Sequence, residues 1–223
     1  MEGCRVFAVI DGNIGAYKST VLNIISHELG FIPVDEPWYE NNFLDLFYQD
    51  KKRWAYSTQW EFFTIRAIRH MEAQNNTTEN LLLERSVYSD RYVFARYLYD
   101  HGYMNDREWN SYTKWFDFLV EKLLKKPTFI LYLRAKPETL YKRILQRSRE
   151  IELQKDGISI DYIRGLNHYY DEFLYHNKFN LDIPIMVIDT DDKFYMENQD
   201  HRMELMGKIR EFLKGLSTIK ISS

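Results

Sequence analysis

Short apolar runs alternate along the chain with longer stretches whose apolar residues return at helical spacing. The runs Arg5–Ile10, Phe31–Val34, Asn80–Leu83, Thr128–Leu133 and Pro184–Ile188 are continuous rather than alternating, as expected of strands covered on both faces. Between them the spacing predicts helices over Lys18–Leu29, Lys52–Gln74, Asp106–Leu124, Pro137–Arg149, Ser159–Tyr175 and His201–Leu216, and one more from Ser86 or Ser89 to Tyr99. This order reads as an α/β fold with a five-stranded parallel sheet flanked by helices on both faces. The nine glycines and five prolines sit singly at turns, and neither repeat nor linker divides the chain. Residues 1–223 are therefore expected to form a single domain.

In an open parallel sheet, ligands gather beyond the carboxyl ends of the strands. Asp11-Gly12, Asp35-Glu36, Glu84-Arg85 and the stretch Asp189 to Asp192 stand at four such ends, and all four are expected to face one crevice. Composition narrows what could enter it. With 45% apolar residues the chain can bury an ordinary core. A single cysteine, Cys4, allows neither a disulfide nor a zinc-thiolate site and points to a reducing compartment. The longest early apolar run, Val6–Ile10, is far short of the ~20 residues that span a bilayer. A cytoplasmic protein with no membrane partner is expected. Thirty basic against thirty-three acidic residues leave a charge of −3, so no cationic surface invites nucleic acid.

The strongest local signal is Gly12-Asn13-Ile14-Gly15-Ala16-Tyr17-Lys18-Ser19, followed by Thr20, between the first strand and the first helix. It nearly matches the phosphate-binding loop G-x-x-x-x-G-K-[ST]. Such a loop wraps a polyphosphate with backbone N–H groups at a helix N-terminus, with a lysine for the phosphate oxygens and a hydroxyl for Mg²⁺. Tyr17 is the departure, standing where the pattern has its second glycine. It still supplies a backbone N–H.

A carboxylate beside bound phosphate can act as general base on a hydroxyl, and a neighbouring arginine can orient it. Glu36 after the second strand and Glu84-Arg85 after the third are placed for this. Further on, Arg143 and Arg147 fall four apart on one helix face and Arg149 follows at the turn. This cluster suits a mobile lid over phosphates, at about residues 143–158. Gln59 and Arg66 lie two turns apart on the long second helix, with Phe62 and Phe63 between them. Asp90 within reach of Arg66 would complete a polar floor. His168, Tyr169, Tyr170 and the Trp109-Trp115-Phe116 group read as helix packing.

Taken together, the loop, Glu36-Pro37, Tyr48…Trp54…Gln59, the block Glu84-Arg85-Ser86-Val87-Tyr88-Ser89-Asp90-Arg91-Tyr92 and the arginine-rich lid resemble the deoxyribonucleoside kinase family, from Arg5 to about Leu213. The resemblance implies a P-loop kinase fold and transfer of the γ-phosphoryl of ATP or another NTP to a deoxyribonucleoside 5′-hydroxyl, with Mg²⁺. Glu36 would be the base and Arg85 would position it. Lys18, Ser19 and Glu84 would serve the phosphates and Mg²⁺, and Arg143, Arg147 and Arg149 would form the lid. Tyr48 and Glu152 would hold the 3′-hydroxyl, with Leu153–Asp156 inserted relative to animal members. Gln59, Arg66 and Asp90 would read the base, between walls of Ile14, Phe47 and Phe94. Asp192, Lys193 and Phe194 resemble the segment that cradles the donor's adenine. The family's tryptophan stacked near the base has no counterpart here, since Trp38 lies at a different spacing after Glu36-Pro37. The trio Gln59, Arg66 and Asp90 favours deoxyadenosine, deoxycytidine or deoxyguanosine over thymidine, and a homodimer packed through the second and fourth helical segments is implied. Two other readings share these features. One is a nucleoside monophosphate kinase, because Asp90-Arg91-Tyr92 resembles a thymidylate kinase signature. The other is a non-catalytic assembly subunit, suggested by Tyr17 alone.

Overall fold

The computed structural model describes residues 5–36, 38–76, 78–149, 152 and 157–219. Cys4, Pro37, Glu150, Ile151 and the insertion Leu153–Asp156 lie outside them. Strands β1 (Phe7–Asp11), β2 (Ile32–Val34), β3 (Leu81–Glu84), β4 (Phe129–Arg134) and β5 (Ile185–Asp189) form one parallel sheet in the order β2-β3-β1-β4-β5. The three inner strands are buried almost throughout, whereas β2 and β5 are half-open edges. Continuous apolar runs in β1, β3 and β4 follow from that two-sided burial.

The helices fall close to their expected spans. They are α1 (Lys18–Leu29), α3 (Lys51–Asn75), α6 (Asp106–Lys122), α7 (Pro137–Arg147), α8 (Ile160–Tyr170) and α9 (Gln199–Ile219). Several carry strong start signals: Asp50 caps α3, Ser159 caps α8, and Asn105 with Glu108 closes a capping box on α6. A short helix α2 (Leu44–Gln49) was not expected from the sequence. Two turns are too little for a period to show, yet α2 sets Phe47 and Tyr48 in place. The helix after β3 is also not uniform. One α turn, α4 (Val87–Ser89), widens to a π segment over Asp90–Ala95 before resuming as α5 (Arg96–Asp100). Residues 171–175, expected to continue α8, are likewise π-helical. Wide turns of this kind mark functional sites, and the first one carries Asp90 and Phe94.

Strand order decides which ends share a crevice. β1 pairs Ile10 with Glu84, and β2 pairs Val34 with Leu83, so Gly12, Glu36 and Arg85 emerge side by side. β5 lies at the opposite edge, beyond β4. Asp189 and Asp191 to Lys193 therefore line a separate depression with Arg134 and Asp171, and the expectation of four strand ends at one crevice holds for three.

The loop after β1 is pressed against neighbouring backbone. A Cβ at Gly12 would meet the Leu133 carbonyl oxygen at 2.5 Å, and one at Gly15 would meet that of Leu140 at 2.6 Å. Gly15 also adopts φ +83°, which only glycine tolerates readily. Gly15→Ala is expected to lower stability by about 2 kcal/mol, from strain plus the clash. Urea unfolding followed by tryptophan fluorescence would measure it.

Candidate active site

A cavity of about 340 Å³ opens beyond β1, β2 and β3. On its loop side stand Ile14, Lys18 and Ser19. α1 starts with no side-chain cap, so its first N–H groups stay open for an anion alongside those of the loop. Ala16 is buried, and the Asn13 amide is spent inside, donating to the Ile163 carbonyl at 3.1 Å and to Asn167 at 3.2 Å. Lys18 folds back to donate to the Asn13 carbonyl at 3.1 Å. Burial, with Arg85 adding, lowers its pKa to about 8. The Ser19 hydroxyl donates to Glu84 Oε1 at 3.0 Å. Burial raises the Glu84 carboxyl, against the attraction of Lys18. A hydroxyl and a carboxylate so close make an oxygen-only donor pair suited to Mg²⁺. Thr20 instead faces a groove between α1 and α9.

Glu36 sits at the centre. Arg85 Nε donates to its Oε1 at 2.9 Å, and Arg66 Nη2 donates to the same oxygen. Burial would raise this carboxyl, but Arg85, Arg66 and Lys18 overcome it and hold Glu36 well below the usual carboxylate range. Arg66 also donates through Nη1 to Asp90 Oδ1, as expected, and its guanidinium lies over Phe62, 4.5 Å from the centroid. Arg66 thus bridges Glu36 and Asp90, a link not expected from the sequence. Phe63 does not join the pocket. It is buried against Tyr112 and Phe116 of α6.

Arg85 is the most constrained residue of the site. Its backbone is left-handed, φ 69°, and its side chain is held at both ends. Nη1 donates to the Gly12 carbonyl at 3.3 Å and to the Tyr170 hydroxyl at 2.5 Å, while Phe94 lies 4.7 Å under the guanidinium. Tyr170 is fully buried and donates in turn to Asp11 Oδ1 at 3.0 Å. Burial, then the charge of Asp11, keeps that phenol protonated well above its ordinary range. Asp11 is also buried and accepts from Gly12 N, Ser86 N and Ser86 Oγ. Tyr170 is therefore no mere packing residue: it relays Asp11 to Arg85, and Arg85 to Glu36. No motif marks it, and only the crossing of α8 over the β1 end makes it legible.

At the far end Gln59, Phe47, Tyr48, Phe94 and Trp38 line the cavity, with Tyr162 of α8. Trp38, for which no role was expected, is covered by Arg149, whose guanidinium lies 4.8 Å from its ring. Arg147 donates to Glu152 through Nε at 2.9 Å, and Arg149 lies 3.7 Å from the same carboxylate. Tyr48 faces this group, its phenol pushed well above its ordinary range by burial and by Glu152. Arg143 turns elsewhere, to the segment after β5. Of that segment, Asp192 and Lys193 line the separate depression, while Phe194 is half exposed and stacks on His201.

Asp90 carries a pH signature. Burial, outweighing Arg66 and Arg85, pushes its carboxyl from 3.8 up to about 7. Between those values the folded chain holds a proton that the unfolded chain has released. The stability this group contributes is thus full below about pH 4 and lost as pH rises through about 7. Calorimetry of wild type and Asp90→Asn from about pH 5 to about pH 8 should show wild type losing melting temperature relative to the variant. A gap constant with pH would mean that Asp90 is ionised throughout.

The model of the deoxynucleoside kinase family matches residues 8–214. A probable deoxycytidine kinase of fowlpox virus is 36% identical over 211 residues, covering 93% of this chain and 88% of its own. Human deoxycytidine kinase is 31% identical, with 96% and 94% covered. Human mitochondrial thymidine kinase 2 is 30% identical, with 91% and 74% covered. Among solved structures, a deoxyadenosine kinase of M. mycoides with bound dATP superposes with a TM-score of 0.77 at 28% identity, over 91% of this chain and 98% of that one. The strand order, the loop after β1 and these matches are those of a P-loop kinase fold, and the chain belongs to the deoxynucleoside kinase family.

Proposed function

We propose that the protein transfers the γ-phosphoryl of ATP or another NTP to the 5′-hydroxyl of a deoxyribonucleoside, with deoxyadenosine, deoxycytidine or deoxyguanosine preferred over thymidine. The observation that carries this reading is Glu36, an ionised carboxylate held by Arg85 and Arg66 at the junction of a nucleoside-sized cavity and a phosphate loop. A 5′-hydroxyl between Glu36 and Arg85 passes its proton to Glu36 as its oxygen attacks phosphorus, and the bond to the donor's bridging oxygen breaks. A strongly acidic carboxylate suffices, because the transferring group is loosely bonded in the transition state and positioning dominates the rate. Backbone N–H groups of residues 12–17, with Lys18, hold the donor phosphates, and Arg147 and Arg149 swing from Glu152 onto the transferring oxygens. Ser19 and Glu84 would hold Mg²⁺, which when bound neutralises phosphate charge. Tyr48 and Glu152 take the 3′-hydroxyl. Asp192, Lys193 and Phe194 would cradle the donor base.

Two buried oxygens support the base preference: Gln59 Oε1 and, once Asp90 has released its proton, Asp90 Oδ2 are acceptors with no hydrogen-bond partner. Acceptors left open in a cavity call for N–H groups, which the amino edges of adenine, cytosine and guanine provide. Thymine would set a carbonyl against one of them. The relatives named as deoxycytidine kinases are in line with that preference, but human mitochondrial thymidine kinase 2 is as similar as the human one, so the preference rests on the cavity.

A homodimer is supported by an apolar surface that the fold leaves open. Trp115 and Phe118 stand three apart on α6, Leu123 follows its end and Ile68 is on α3, all close to half exposed. Trp115 was expected to pack inside.

Phosphoryl transfer from Mg·ATP to each of the four deoxynucleosides is the direct test. Turnover of a purine or cytosine deoxynucleoside is expected to exceed that of thymidine, and Glu36→Gln to lower kcat by about 10²–10⁴. Thymidine turning over fastest would overturn the base assignment; undiminished Glu36→Gln would overturn the mechanism. Sedimentation should give a particle of two chains, with Trp115→Glu shifting it to one.

A further inference from the structure

Tyr17 replaces a glycine of the phosphate-loop pattern, and the chemistry above gives its ring no task. Its backbone is left-handed, φ 66°, a conformation costly for tyrosine and free for glycine. Something other than the loop's own geometry has to account for the side chain.

The ring lies against the Arg143 guanidinium, 3.9 Å from its carbon to the ring centroid, and meets Tyr195 edge-on at 5.8 Å. Arg143 comes from α7, the helix that leads into the lid. Its guanidinium donates to the Thr190 hydroxyl at 3.2 Å, to the Thr190 carbonyl, to the Asp191 carbonyl at 3.3 Å and to that of Lys193 at 3.5 Å. Arg143 is buried, and its two terminal nitrogens are engaged by the segment between β5 and α9. It is thus not placed to neutralise phosphate. Tyr17 covers its planar face. A desolvated cation against an aromatic face is a strong contact. One guanidinium thereby ties the phosphate loop, the lid helix and residues 190–195 together.

We propose that Tyr17 is a positioning residue for the phosphoryl donor: by its ring on Arg143 it fastens α7 and residues 190–195 to the phosphate loop, so that Arg147 and Arg149 are presented over the phosphates from a fixed base. The role in transfer rests on the kinase reading above; the tie itself does not. It reverses what the motif alone suggests, since restoring the pattern with Tyr17→Gly relieves backbone strain yet weakens donor use.

The test compares wild type, Tyr17→Gly and Tyr17→Phe in two ways: steady-state kinetics with donor and acceptor varied separately, and amide hydrogen exchange of nucleotide-free protein. Tyr17→Gly is expected to raise the KM for Mg·ATP about tenfold, the size of a lost desolvated cation–aromatic contact. The nucleoside KM should move less than about twofold, within the scatter of an uncoupled site. Exchange should quicken across 137–147 and 190–195 while β1 stays protected, which shows that the variant is folded. Tyr17→Phe, which keeps the ring, should recover most of both losses. A donor KM that falls or holds in Tyr17→Gly would overturn the positioning role. Unchanged exchange in both segments would overturn the tie, and that arm reads out even if no nucleoside is phosphorylated.

Discussion

Everything at this site depends on a largely buried carboxylate that stays charged. Desolvation alone would drive Glu36 to take up a proton, and two guanidinium groups on a single oxygen prevent it. The other ionisable groups of the cluster divide around that requirement. Lys18, Arg66 and Arg85 surround Glu36, so carboxylates farther from their focus, Asp90 and Glu84, are left with burial dominant and are raised. The cavity thus holds one carboxylate fixed in its charged form and two left open to protonation, Asp90 beside Arg66 and Glu84 beside Ser19; on the function proposed above these are the base, a base-edge contact and a cation ligand. Burying six such groups would be ruinous singly. It is tolerable because each guanidinium contacts more than one acceptor.

That cluster can exist only because the sheet order is not the chain order. β3 inserts between β1 and β2, which brings residue 36 against residue 85 and residue 11 against residue 86. The long helix α3, between β2 and β3, then carries Arg66 back over the same point. Local geometry finishes the job. Arg85 accepts a left-handed backbone at the β3 end, and the strain is borne by the Asp11–Tyr170–Arg85 relay, whose members are all buried. Tyr170 ends the regular part of α8, immediately before the π segment, so a helix irregularity and a functional hydroxyl coincide.

Much of this was legible in the chain, and what was not shares a physical character. The five strands, the long helices and the loop after β1 follow from period and spacing, which are local properties, whereas the pairing of Arg66 with Asp90 rested on the family resemblance. Glu36 beside Arg85 required only that neighbouring strand ends face one way. By contrast, the Arg66–Glu36 link, the Tyr170 relay and Trp38 beneath Arg149 join segments through three-dimensional crossing, and no local pattern records them. Helix α2 was too short for periodicity. Asp189 to Asp192 were misplaced because charged residues at strand ends say nothing of which edge a strand occupies. Phe63 turns away from the cavity that Phe62 lines, because neighbours on a helix point about 100° apart and α6 claims the second.

Arg143 shows how the same ambiguity runs through function. Helical spacing put it with Arg147, and a shared face suggested a shared task. The two side chains nevertheless diverge: Arg147 turns to Glu152, which with Tyr48 closes the far end of the cavity, and Arg143 to Thr190, Asp191 and Lys193 after β5. On the function proposed above, the acceptor half of the site stands on strand ends and buried relays. The donor half depends on how loop, lid helix and the segment after β5 are held together. A tyrosine in the phosphate loop makes sense in that setting. Glycine serves a loop whose neighbours are fixed by other means, whereas a ring in the same place lets the loop itself do the fixing, at the cost of a strained backbone that Arg143 helps to offset.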